Sequence, residues 1–235
     1  MIGLNNLQLI RAVSQWLYTK GTARAGTVDL ECFSSSIALT GQREDTIGMA
    51  TQPIGEQSGR FVSVEEYLST SYEPDCEYDD GAVVERNLGE FEHSFLQIIL
   101  GTIFTVNMDA WGVFGLTEQR VQIAARKFRV PDVCVLRVGA PAEDILTQPP
   151  LIAIEILSPE DTMRRAAKKA VEYREFGIEH VWVIDPSARV AYRGADSGLE
   201  RVPSGELTVP DTPIVVRIAE LFEKLDRIRA KSGKR

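Results

Sequence analysis

Three side chains between Val130 and Pro186 offer this sequence's best chemistry. Asp132 follows Val130-Pro131, Glu155 stands inside Leu151-Ile152-Ala153-Ile154-Glu155-Ile156-Leu157, and Lys169 lies on the stretch that comes next. Both acids sit in almost wholly apolar runs. Burying an ionised carboxylate without a partner is costly, so each needs a cation, a metal or hydrogen-bond donors. Two carboxylates on neighbouring strands can hold Mg2+, a hard ion that prefers oxygen ligands and keeps positions for water and phosphate. The ion polarises a phosphoryl oxygen and lowers the pKa of a bound water. A lysine beside that water can orient it or neutralise charge that develops in the transition state. The chemistry open to the trio is metal-assisted cleavage of a phosphodiester.

These roles require particular elements. Side chains alternate along a strand, so Asp132, Cys134 and Leu136 share one face, and Glu155 shares one with Leu151, Ala153 and Leu157. The continuous apolar character of both runs predicts strands covered on both faces. Ser158-Pro159-Glu160-Asp161 ends the second strand and opens a helix, with Ser158 or Asp161 as cap, and Gly177 suits the helix C-terminus. At 100° per residue, Met163, Ala166, Ala167, Ala170, Val171, Tyr173 and Phe176 form an apolar arc. Lys169 falls at its edge, whereas Lys168 and Glu172 point away. The small alanines let the helix approach the sheet, so that Lys169 reaches over the strand of Glu155.

Elsewhere the pattern is less chemical. Residues 1–60 contain a short amphipathic stretch and a long Gly, Ser and Thr-rich run that reads as a flexible arm or linker. Residues 61–229 form the expected domain, and 230–235 a basic mobile tail. Ser63-Val64-Glu65-Glu66 is a capping-box pattern, and Cys76 to Arg86 reads as a hairpin around Asp79-Asp80-Gly81. From Glu90 to Met108 the spacing predicts a helix burying Phe91, Phe95, Ile98, Ile99, Ile103 and Val106. Trp111–Leu116 and Gln119–Ala124 are strand candidates, followed by a turn over Arg126–Arg129. Further strands are expected at Val190–Arg193, Leu207–Val209 and Ile214–Arg217, then a helix to about Arg229. Asp185, ahead of Pro186, reads as a turn former.

The 235 residues suffice for one domain and an extension, and 44% hydrophobic with 26% charged residues marks a globular chain. No stretch approaches the roughly 20 apolar residues of a membrane span, and the first twenty residues lack a secretory pattern. Cytoplasmic residence is expected. Cys32, Cys76 and Cys134 are dispersed, as reduced thiols are, and with only His93 and His180 beside them they make no zinc motif. A net charge of -8 argues against generic nucleic-acid binding. Between Arg120 and Arg174, however, ten basic residues face seven acidic ones, so the acidity lies away from the trio.

Val130-Pro131-Asp132, Glu155-Ile156-Leu157-Ser158-Pro159, Lys169 with Tyr173, and Val181-Trp182-Val183-Ile184-Asp185-Pro186 occur in an order that resembles the Uma-two family of restriction endonucleases, within the PD-(D/E)XK nuclease superfamily. The resemblance runs from about Val62 to Asp226. It implies a mixed α/β fold, α+β in character: a restriction-endonuclease-like central mixed β-sheet flanked by helices. It further implies a Mg2+-dependent DNA endonuclease, with Mn2+ as a substitute. Asp132, Glu155 and the Ile156 carbonyl would hold the ion, Lys169 would assist the attacking water, and His93 and Tyr173 would be neighbours of the site. Leu157 stands where the superfamily motif has its lysine, and Lys169 on the following helix takes that part. DNA and a second copy of the chain are the implied partners, and no membrane. Two other readings stay open: a catalytically inactive nuclease-fold module for nucleic-acid or protein binding, and a hydrolase of smaller phosphoesters. Taken singly, Asp132 could cap a turn, Glu155 could pair with Arg129 or Arg165, and His93 could be a core residue.

Overall fold

The computed structural model describes residues 61–232 apart from 74, 88 and 89. The arm expected over residues 1–60, Cys32 and residues 233–235 of the tail lie outside the described residues. Ser63 caps α1 (Val64–Ser69), its hydroxyl accepting from the Glu66 N–H at 3.1 Å. The hairpin of β1 (Cys76–Asp79) and β2 (Ala82–Glu85) turns through Asp80 and Gly81, at φ 46° and 97°. Two successive left-handed residues are what a tight hairpin needs.

The chain then runs through α2 (Phe91–Val106), the short α3 (Met108–Trp111), β3 (Val113–Thr117), β4 (Val121–Ala124) and β5 (Lys127–Arg129). β6 (Val133–Arg137), β7 (Ile152–Ile156), α4 (Met163–Phe176) and β8 (His180–Asp185) follow. Last come β9 (Val190–Ala195), β10 (Gly198–Arg201), β11 (Glu206–Thr208), β12 (Val215–Arg217) and α5 (Ile218–Ser232). Six strands make the main sheet in the order β10-β9-β8-β7-β6-β3; four more make a second sheet, β2-β1-β5-β4, and β11 pairs with β12. Only β7 and β8 pair in parallel within the main sheet, because α4 carries the chain back across it.

The alternation along β6 and β7 sorts the core into two layers. Val133, Val135, Ile152, Ile154 and Ile156 face Leu96, Leu100 and Phe104 of α2 and Leu221, Phe222 and Leu225 of α5. On the opposite face, Ala153 and Val181 meet Ala170 and Tyr173 of α4. Helices therefore cover both faces, as the apolar runs require. Gly194 of β9 makes the close approach of the α4 side legible, since a Cβ there would lie 2.8 Å from that of Val181 and 3.5 Å from that of Ala170. Cys76 and Cys134 are buried thiols. Among the described residues, no helix is long and apolar enough to cross a membrane.

Four local expectations are corrected. α2 buries His93, Leu96, Leu100 and Phe104, while Phe91, Ile98 and Val106 are exposed. Apolar residues line α2 nearly all round, so spacing could not choose the inward stripe. Lys127–Arg129 is a strand, β5, because it pairs with β1 and β4. The cap of α4 is Thr162, whose hydroxyl accepts from Arg165 N, while Asp161 accepts from Ser158 N and Asn87. Glu172 does not point away: its side chain is 10% exposed and held by Lys127 and Arg129 of β5, a strand of the second sheet whose approach helical phase could not reveal. Asp185 is the expected turn former, accepting from Ser187 and Ala188.

Candidate active site

Asp132 lies one residue ahead of β6. In the antiparallel β6–β7 pair, Val133 faces Ile154; continued by one residue, that register sets Asp132 opposite Glu155. Asp132 is 4% exposed and fixed at both ends. Its Oδ2 accepts from Ile156 N at 2.7 Å and meets His93 Nε2 at 3.1 Å; Oδ1 accepts from Arg86 Nη2 at 2.7 Å. Its carbonyl accepts from Gln97 Nε2 at 3.1 Å and Glu118 N at 3.2 Å.

Glu155 points to the α4 side. Tyr173 donates to its Oε1 at 2.5 Å and Lys169 to its Oε2 at 3.0 Å. Lys169 and Tyr173 are four residues apart, so one helix face delivers both groups to one carboxylate. Lys169 also lies 2.7 Å from Glu77 Oε1, a carboxylate brought by β1 of the second sheet. Lys168, one residue earlier, is 68% exposed, in accord with the helical phase. Arg86, His93, Asp132, Glu155, Ile156 and Lys169 line one cleft, together with Leu157 and Arg165. All six residues expected at the site are thus near neighbours, with Tyr173 beneath Glu155.

The electrostatics follow from this wiring. Burial raises the Asp132 carboxyl, but the hydrogen bond and charge of His93, the Arg86 guanidinium and the Ile156 N–H outweigh it and hold the group below the usual carboxylate range. Glu155 moves up: burial dominates, Asp132 and Glu77 add to it, and Lys169 opposes it. Burial acts against the Lys169 ammonium, yet Glu155 and Glu77 push it up to about 12. Lys169 is therefore a cation at neutral pH, able to orient or neutralise but not to take a proton. His93 is raised in spite of burial because it pairs with Asp132, and its Nδ1 is buried without a hydrogen-bond partner.

Whether a divalent ion suits these groups can be judged from the donors. A carboxylate oxygen has two lone pairs. Asp132 Oδ2 uses both, whereas, among the described residues, Asp132 Oδ1 and the two oxygens of Glu155 each accept from one donor and keep one lone pair. These hard oxygens fit Mg2+ or Mn2+. Among the described residues, no group of three or more His, Cys, Asp or Glu is arranged as a ready metal cage. An ion here would complete its shell with water or substrate oxygens, the usual condition of Mg2+.

Two residues of this wiring stand outside the trio and neighbours expected from the sequence, in which Glu77, with Glu85, reads only as an extra acid. Glu77 carries the signal that betrayed Glu155, an acid between Cys76 and Tyr78 in a buried strand, but only the second sheet's docking brings it to Lys169. Arg86, at the end of the hairpin, has no local signal at all.

A mixed sheet with helices on both faces and an acid pair at the ends of two adjacent central strands defines a restriction-endonuclease-like architecture. The sequence model of the family described as "Uma2: Putative restriction endonuclease" matches residues 64–214, and the chain belongs to that family. A crystal structure from Anabaena variabilis, of a "putative nuclease belonging to DUF820", is similar at a TM-score of 0.61 and 22% identity, over 69% of this chain and 98% of that one. It shares the fold. The DrdV–DNA complex aligns at a TM-score of 0.33 and 15% identity, over 45% of this chain and 10% of that one. No curated protein matches.

Proposed function

We propose that the chain is a Mg2+-dependent endonuclease that hydrolyses phosphodiester bonds of DNA. The observation that carries this reading is the convergence of Asp132, Glu155 and Lys169 in one cleft, from β6, β7 and α4. Asp132, Glu155 and the Ile156 carbonyl would hold the ion, with Mn2+ as a substitute. When bound, the ion supplies Lewis-acid polarisation and a more acidic water. The chain's own groups do the rest. Tyr173 and Lys169 fix the Glu155 carboxylate, Ile156 N and His93 fix that of Asp132, and the Lys169 ammonium stands ready to orient the attacking water and offset charge on the phosphate. Family membership supports nuclease chemistry, and DNA is the substrate most in keeping with it. Cutting both strands would need two such sites, which a symmetric pair of copies of the chain would supply.

The test is nicking of supercoiled plasmid with and without Mg2+ or Mn2+. Asp132→Ala and Glu155→Ala should each lower the rate by about a thousandfold, and Lys169→Ala by about a hundredfold or more, the scale of losing a charge-stabilising or proton-positioning group. Circular dichroism should show the fold retained. Cleavage undiminished in both acid variants would refute the proposal. A folded protein that binds no Mn2+ and cuts neither DNA nor RNA would instead establish the inactive module, the reading that Leu157 in the motif-lysine position favours. Cleavage of nucleotides but not plasmid would point to a smaller phosphoester.

A further inference from the structure

Asp132 offers a cation only one way in. Its Oδ2 is filled by Ile156 N at 2.7 Å and His93 Nε2 at 3.1 Å, so Oδ1 alone retains a lone pair. That oxygen already accepts from the Arg86 guanidinium at 2.7 Å. Arg86 is 15% exposed and lines the same cleft as Glu155 and Lys169. It also has a second carboxylate within range, since its Nη1 lies 3.6 Å from Glu118 Oε1, whose side chain is 54% exposed. Glu118 is held for this contact by backbone in the left-handed region, φ 54°, with its N–H on the Asp132 carbonyl.

On the reading that Asp132 and Glu155 bind a divalent ion, we infer that Arg86 is the ion's built-in competitor: its guanidinium neutralises Asp132 Oδ1 in the metal-free protein and must give up that oxygen, shifting toward Glu118, when the ion enters. Two cations on one carboxylate oxygen repel each other across a short distance in a poorly screened cleft. Removing the guanidinium charge should therefore tighten ion binding. This is opposite to what a merely supporting arginine would do, since loss of a group that orients a metal ligand weakens the metal.

The experiment is calorimetric titration of the full-length protein with MnCl2 alone. Arg86→Gln, which keeps an N–H donor on a shorter side chain but no charge, should bind Mn2+ roughly tenfold more tightly than the unaltered chain, within the ordinary range of coupling free energies. Arg86→Ala should do the same, and millimolar guanidinium chloride should weaken Mn2+ binding to Arg86→Ala more than an equal concentration of NaCl does. Equal or weaker binding in a folded Arg86→Gln protein, with binding to the unaltered chain intact, would overturn the inference and leave the metal site standing. Binding by Arg86→Gln alone, abolished by adding Asp132→Ala, would support it while denying the unaltered chain its metal chemistry. Absence of Mn2+ binding in every folded variant would overturn both. If Arg86→Gln does not fold, the guanidinium effect on Arg86→Ala decides, and absence of that effect overturns the inference.

Discussion

Lys169 is shared between two carboxylates, Glu155 Oε2 at 3.0 Å and Glu77 Oε1 at 2.7 Å, and the shorter contact is with the acid that belongs to neither motif. Glu77 thereby fixes where the ammonium stands and helps to keep it charged. Glu77→Gln preserves shape and removes the charge, so plasmid nicking should fall by about 10 to 100-fold, the cost of losing a group that orients another, with little change in Mn2+ affinity. Parallel rate and calorimetric measurements check this, and an unchanged rate would show that Glu155 alone positions Lys169. At this scale the sequence was legible where a local rule applied. Acids in apolar runs marked Asp132 and Glu155, and helical phase separated Lys169 from Lys168. Glu77 and Arg86 were hidden because their meaning depends on a sheet packed against the site from more than forty positions earlier in the chain.

At the scale of elements, α4 links the site to the second sheet. Its inner face presents Ala166, Ala170 and Tyr173 to the main sheet, and Glu172 on its flank meets Arg129 Nη2 at 2.6 Å and Lys127 at 3.1 Å. Burial raises the Glu172 carboxyl, but Arg129 and Lys127 outweigh it and hold the group below its ordinary 4.5. A depressed folded-state pKa adds stability that is present above the unfolded value and disappears as pH falls through the folded one. Glu172→Gln should thus cost about 2 kcal/mol near neutral pH, less than a fully buried pair because the contact is partly solvated. The gap between variant and unaltered chain should close as pH drops below about 4.5. Thermal melts across that range test this; a gap independent of pH would assign Glu172 a packing role only. The strands β6, β7 and β8 were readable because their apolar runs have one explanation, whereas the inward face of α2 was not, because apolar residues surround it and the partner surface decides.

For the whole molecule, local rules lose their reach where the two larger sheets meet. Composition and charge defined a globular chain of net charge -8, and the order of motifs defined the family, but neither could foresee that Arg129 gathers Glu77, Asp79 and Glu172 at one junction. The Glu77–Lys169 contact has a consequence for how the protein fails. Subglobal units of a fold open with free energies well below that of complete unfolding. If β2-β1-β5-β4 is such a unit, its opening withdraws Glu77 from Lys169 while β7, α4 and β8 remain paired. Plasmid nicking should then fall by about 10 to 100-fold at a urea concentration below that at which the β7 and β8 amides lose protection from hydrogen exchange, and coincident midpoints would show a single cooperative unit. The cleft would then act as a gauge of sheet docking, slowed when the second sheet opens and at full rate only once that sheet has closed.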